Sequence, residues 1–152
     1  MQRQTHTEES VTRSVCETPA DFRAVGGKSV HGLLKASGYL KHRDFLTRDA
    51  VDRYVRGHPE VVAAWQQYSE DKRTNGGWYF TTDASDVEVG YFDARHGVRD
   101  VQQYPSREEA CTEFILKEVH EIARGSTSCL WWVIGALLVV IAWVVMVFQS
   151  LQ

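Results

Sequence analysis

Charge is missing from the end of this chain: no Lys, Arg, Asp or Glu follows Arg124. That absence makes the last part of the chain a different material from the rest. Cysteine is scarce and odd in number, at Cys16, Cys111 and Cys129, far apart and without a CxxC pair. This excludes a disulfide framework or a thiolate zinc knuckle and suits a reducing cytosol. The N-terminus MQRQTHTEES lacks an apolar run, so no signal peptide is expected. Formal net charge is −3 and the basic residues are dispersed. No nucleic-acid footprint and no polybasic lipid patch follow from that distribution. Asparagine occurs only at Asn75, and arginine outnumbers lysine, a usage that accompanies GC-rich bacterial genomes.

What the end of the chain does contain is CLWWVIGALLVVIAWVVMVF, residues 129–148, without a charge or an amide. At ~1.5 Å rise per residue, ~20 residues cross a ~30 Å hydrocarbon core. Its Leu, Ile, Val and Phe each favour insertion by roughly 0.3 to 0.6 kcal/mol. A core helix of a soluble domain is the alternative, but a chain this short could not wrap an all-round apolar helix. Arg107, Lys117 and Arg124 precede the run and the tail 149–152 has no basic residue, which predicts a cytosolic N-terminal domain and an outside C-terminus. Trp131 and Trp132 then fall at the cytosolic membrane interface, where indoles settle. Trp143 is deeper and has no equally good explanation. The expectation is a single-pass, tail-anchored protein of a bacterial inner (plasma) membrane, with the lipid bilayer as one partner. Cys129 borders the membrane and is a candidate for acylation.

The remaining residues have the length of one domain. Residues 1–17 are polar, without hydrophobic period, and are expected to be disordered. Residues 18–124 read as a cytosolic α+β domain, 125–128 as a hinge, 129–148 as the transmembrane helix and 149–152 as a short tail. Thr18-Pro19 predicts one helix start, closed by Gly26-Gly27; Ser29 predicts a second, stopped by Gly38; Thr47 a third, stopped at Gly57. A fourth helix after Pro59 carries Val61, Val62, Trp65 and Tyr68. Thr74 to Gly77 is turn chemistry, after which 78–82, 87–91 and 98–104 read as three strands of an antiparallel meander. Ser106 and Glu109 form a capping box for a helix whose Ala110, Cys111, Phe114, Ile115, Val119 and Ile122 make an apolar stripe to cover one sheet face.

Motifs for catalysis, cofactors or metals are not found. GGKS at 26–29 resembles the end of a phosphate-binding loop, but Phe22 stands where its first glycine is required and no strand precedes it. A helix stop explains it better. His120-Glu121 begins like HExxH, yet Arg124 replaces the second histidine. The six histidines show no metal-ligand spacing, and Asp83, Asp86 and Asp93 sit in turns, where aspartate bonds its own backbone. The chain is expected to be non-enzymatic, with no cofactor and no evident small-molecule substrate.

The segment YSEDKRTNGGWYF, residues 68–80, places a charge cluster between aromatic groups. As structure it is a solvated helix end followed by core rings. As function, Asp71, Lys72, Arg73, Asn75 and Trp78 are candidate partner-binding residues, since arginine and aromatic side chains dominate interface energetics.

Together with this segment, WQQYSEDKR (65–73), GWYF (77–80), YFD (91–93) and YPSREEACTEFILKEV (104–119) resemble small bacterial, actinobacterial-type immunity proteins encoded beside toxins. The similarity spans roughly 38–122 and implies protection by binding and occluding a toxin; the C-terminal anchor is an addition. The resemblance implies no particular contact residue. The functional expectation is therefore a membrane-displayed protein-binding module, of immunity type as the resemblance implies. The alternative is a regulatory or assembly subunit whose helix packs against other membrane proteins, for which Gly135, Ala136 and Ala142 offer small residues, though without GxxxG.

Overall fold

The structure, a computed structural model, describes residues 6–25, 29–70, 76–83 and 86–124. Two compact units divide the chain, Met1–Val119 and His120–Gln152, and of the second only 120–124 is described. Helices come first: α1 (Glu8–Cys16), α2 (Thr18–Val25), α3 (Val30–Ala36), a 3-10 turn (Arg43–Phe45), α4 (Arg48–Gly57) and α5 (Pro59–Glu70). Strands β1 (Gly77–Asp83), β2 (Asp86–Asp93) and β3 (Gly97–Gln103) form an antiparallel sheet in sequence order. Helix α6 (107–124) follows. This is the expected α+β order. The segment 129–148, the hinge 125–128 and Gly26-Gly27 lie outside the described residues.

The expected disorder over 1–17 gives way to helix at 8–16. Ser10 N–H donates to Thr7 Oγ1 at 3.2 Å and Thr7 N–H donates to Ser10 Oγ at 2.8 Å, a reciprocal cap. Serine replaces the usual Glu or Gln at that third position, which hides the cap from inspection. The buried stripe is Val11, Thr12, Val15 and Cys16, half of it hydroxyl and thiol. Such a stripe is too weakly apolar to mark a helix alone; packing against α4 stabilises it.

At the next junction Thr18 is inside α2 rather than capping it, and its hydroxyl donates to the Ser14 carbonyl at 3.0 Å. The preceding Glu17 carbonyl accepts from Ala20 and Asp21, so α1 and α2 are separated by that one residue. The other caps lie where expected: Ser29 accepts from Gly32 N–H at 3.1 Å and Thr47 from Ala50 N–H at 3.2 Å. Gly38 ends α3 at φ +82°, and a Cβ there would stand 2.6 Å from the His6 ring. The left-handed backbone favours glycine there, and any side chain would also have to displace the His6 ring.

The core is organised around Trp65. Fully buried, its indole N–H donates to the Cys16 carbonyl at 2.8 Å. Its ring meets Tyr68 edge-on at 5.4 Å and Phe114 of α6 at 5.8 Å. Phe114 in turn lies 6.0 Å from Phe80 of β1. The stripe of α6 is buried as expected at Ala110, Cys111, Phe114, Ile115 and Val119, but its described ring contacts reach β1, and β3 is exposed along its length after Gly97. At the α6 cap Ser106 Oγ accepts from Glu109 N–H at 3.2 Å, while the Glu109 carboxylate accepts from Arg56 at 3.3 Å.

The two sheet edges are treated differently. On β1, the buried Ser69 hydroxyl of α5 accepts from Phe80 N–H and donates to Phe80 carbonyl, closing both groups of that edge residue. On β3 the register shifts opposite Gly90, with Asp100 at φ 55° in the bulge. Bulge, Arg99 and Asp100 together blunt that edge against further strand pairing.

Replacing Trp65 by Phe removes the indole donor and leaves space, so unfolding free energy in denaturant should fall by about 2–4 kcal/mol. Conversely, Thr112 is buried, and among the described residues its hydroxyl has no hydrogen-bond partner. Thr112→Val keeps the shape and should raise stability by about 1 kcal/mol in the same assay.

Candidate protein-contact surface

Strand residues two apart share a face, so register decides which side chains meet. Trp78 pairs with Tyr91 and Phe80 with Val89, placing all four on one face. Phe80 and Val89 are fully buried, whereas Trp78 and Tyr91 are half-buried. The face thus runs from core to surface. The Trp78 and Tyr91 rings meet edge-to-face at 5.2 Å and 79°, a favourable quadrupole arrangement.

Each ring also holds a cation. Lys117 Nζ of α6 lies 4.3 Å from the Trp78 ring centre and the Arg99 guanidinium of β3 lies 4.8 Å from that of Tyr91. Helical and strand periods explain the first contact. Lys117 is one turn beyond Phe114 and Trp78 is two residues before Phe80, so the Phe80–Phe114 core contact carries both outward by one step. Register explains the second, since Arg99 is opposite Tyr91. Carboxylates fix the cations: Glu113 is 3.8 Å from Lys117 and accepts from Arg48 at 2.7 Å, and Asp93 is 3.6 Å from Arg99. The result is a continuous strip, Arg99, Tyr91, Trp78 and Lys117, with half-buried rings between cations.

Asp93 also builds the β2–β3 turn. Its carboxylate accepts from Arg95 N–H at 2.8 Å and contacts His96 Nδ1 at 3.1 Å. The Arg95 N–H, then His96, hold the Asp93 carboxyl below the usual carboxylate range. Elsewhere burial pushes the Cys16 thiol up to about 12, the Cys111 thiol upward and the Tyr68 phenol up to about 12. Both thiols are therefore protonated near neutrality, without nucleophilic character. Among the described residues no group of three or more His, Cys, Asp or Glu is placed to hold a metal ion.

Of the residues singled out in the sequence, Trp78 is in this strip. Asp71, Lys72, Arg73 and Asn75 lie outside the described residues, as do Trp131 and Trp132. Among the described residues no helix is long and apolar enough to cross a membrane. Tyr91, Arg99 and Lys117 are not among the partner-binding candidates that the sequence offers. Tyr91 was legible as a strand residue, but no sequence signal pairs it with Trp78 until the β1–β2 register is known. On the opposite sheet face Tyr79 lies over Gly90, where a Cβ would stand 2.5 Å from its hydroxyl oxygen. That phenol donates to Glu88 at 3.1 Å. Comparisons with protein-family models, curated proteins and solved structures found no match.

Because the folded Asp93 carboxyl titrates below its unfolded value of ~3.9, its contribution is complete above that value and lost as pH falls through the lower folded one. Thermal melts between about pH 6 and pH 2 should show this acid loss reduced in Asp93→Asn. An unchanged acid limb would contradict the turn assignment.

Proposed function

We propose that this chain is a non-enzymatic protein-binding module displayed on the cytosolic face of a bacterial inner membrane, of the immunity type that binds and occludes a toxin. The carrying observation is the strip of Trp78 and Tyr91 between Arg99 and Lys117. Half-buried aromatic groups already ordered by neighbouring cations lose little side-chain entropy on binding, and arginine, tyrosine and tryptophan are the types that dominate interface energetics. The blunted β3 edge favours this face over strand addition as the means of contact. The charge-free run 129–148 supports a membrane-spanning anchor, with Trp131 and Trp132 at the interface and Arg107, Lys117 and Arg124 on the cytosolic side. Confinement at a membrane raises the effective concentration for a partner that arrives there.

A second reading comes from Gly135, Ala136 and Ala142, small residues suited to lateral helix packing. In it the chain is a regulatory or assembly subunit acting through its transmembrane helix. Co-expression with the product of the neighbouring gene separates the two. A toxin-binding module protects growth and co-purifies with that product even when 129–148 is exchanged for an unrelated anchor, and Trp78→Ala with Tyr91→Ala weakens the complex by at least ~10-fold. Absence of both growth protection and a co-purifying complex would overturn the binding role. Loss of function on exchanging the anchor alone would favour the second reading.

A further inference from the structure

Away from the aromatic strip, α1 and α4 enclose an open cleft of about 480 Å³, within the range of small-ligand sites. Its α1 wall carries Glu8 and Glu9; the facing wall carries Arg53 and Tyr54 of α4 and His58 just past its end, with Ala50 between. The aromatic part is held in place from two sides. Tyr54 stacks on His58 at 4.2 Å and its hydroxyl donates to Glu17 at 2.7 Å.

The charges are arranged differently from others on the same helix. Arg48 pairs with Glu113, and Arg56 with Asp52 and Glu109. Arg53, Glu8 and Glu9 form no ion pair among the described residues. Acids therefore stand on one wall and an arginine on the other, facing a common space without neutralising each other at contact distance. Such a cleft orients a dipolar molecule. A purely cationic ligand would meet Arg53, and a purely anionic one would meet the two glutamates.

We propose that this cleft binds a small zwitterion with an aromatic body, of the class of free aromatic α-amino acids. Its ammonium group faces Glu8 and Glu9, its carboxylate faces Arg53, and its ring lies along Tyr54 and His58. No motif in the sequence announces such a ligand, because its wall residues come from two helices separated by α2 and α3. The site is independent of the protein-contact strip.

The test is calorimetric titration of the full-length chain in lipid nanodiscs with L-phenylalanine, L-tyrosine and L-tryptophan. Phenylalaninamide, which keeps only the cation, and N-acetyl-L-phenylalanine, which keeps only the anion, serve as controls. Saturable binding of at least one amino acid is expected, with the single-charge controls at least ~10-fold weaker than L-phenylalanine, as loss of one charge-assisted contact predicts. Arg53→Gln should remove the advantage over the amide, and Glu8→Gln with Glu9→Gln the advantage over the N-acetyl derivative. All three charged residues are exposed, so unchanged melting temperatures will show that the variants are folded. No saturable binding at ~10 mM, controls that bind equally well, or affinities indifferent to both variants would overturn the proposal.

Discussion

The hydrogen bond from the Trp65 indole to the Cys16 carbonyl ties the end of α1 to the middle of α5. A helix leaves its last carbonyls without intrahelical partners, and a buried one must find a donor elsewhere. Trp65 supplies that donor, and in doing so its ring is oriented toward Phe114. Phe114 then meets Phe80. One satisfied carbonyl is thus continuous with the placement of α1, α5, α6 and β1. The surface strip inherits its geometry from the same contacts, since Lys117 and Trp78 are one periodic step outward from Phe114 and Phe80.

The treatment of the sheet edges narrows how the domain can meet a partner. Ser69 occupies both backbone groups of Phe80 on one side. On the other, β3 is exposed, with Val98 at 56% and Val101 at 45% exposure, yet the bulge and adjacent opposite charges disfavour an added strand. Side-chain recognition on the Trp78–Tyr91 face is the physical alternative. The cleft between α1 and α4 draws on different residues, so a ligand there and a protein at the sheet need not compete for side chains.

The caps at Ser29, Thr47 and Ser106, the α6 stripe and the alternation in β2 were legible because each signal lies within a few residues. Helix α1 was not, because Thr12 and Cys16 supply half its buried face and Ser10 completes an atypical cap. At the candidate surface, Trp78 stood out as an aromatic residue beside a charged segment. Tyr91, Arg99 and Lys117 did not, because they come from β2, β3 and α6, and nothing local assigns them to one another.

By itself the sequence determined the order of helices and strands from α2 onward, most of their ends, and the charge-free composition beyond Arg124. These depend on propensity, periodicity and capping, which act within one turn or one strand. Only the tertiary structure decided that 8–16 would be helix, that Trp65 would reach Cys16, and that Arg99, Tyr91, Trp78 and Lys117 would form one strip. Those outcomes require strand register and the packing of α6 on β1, which are set by long-range burial and hydrogen-bond satisfaction rather than by neighbouring residues.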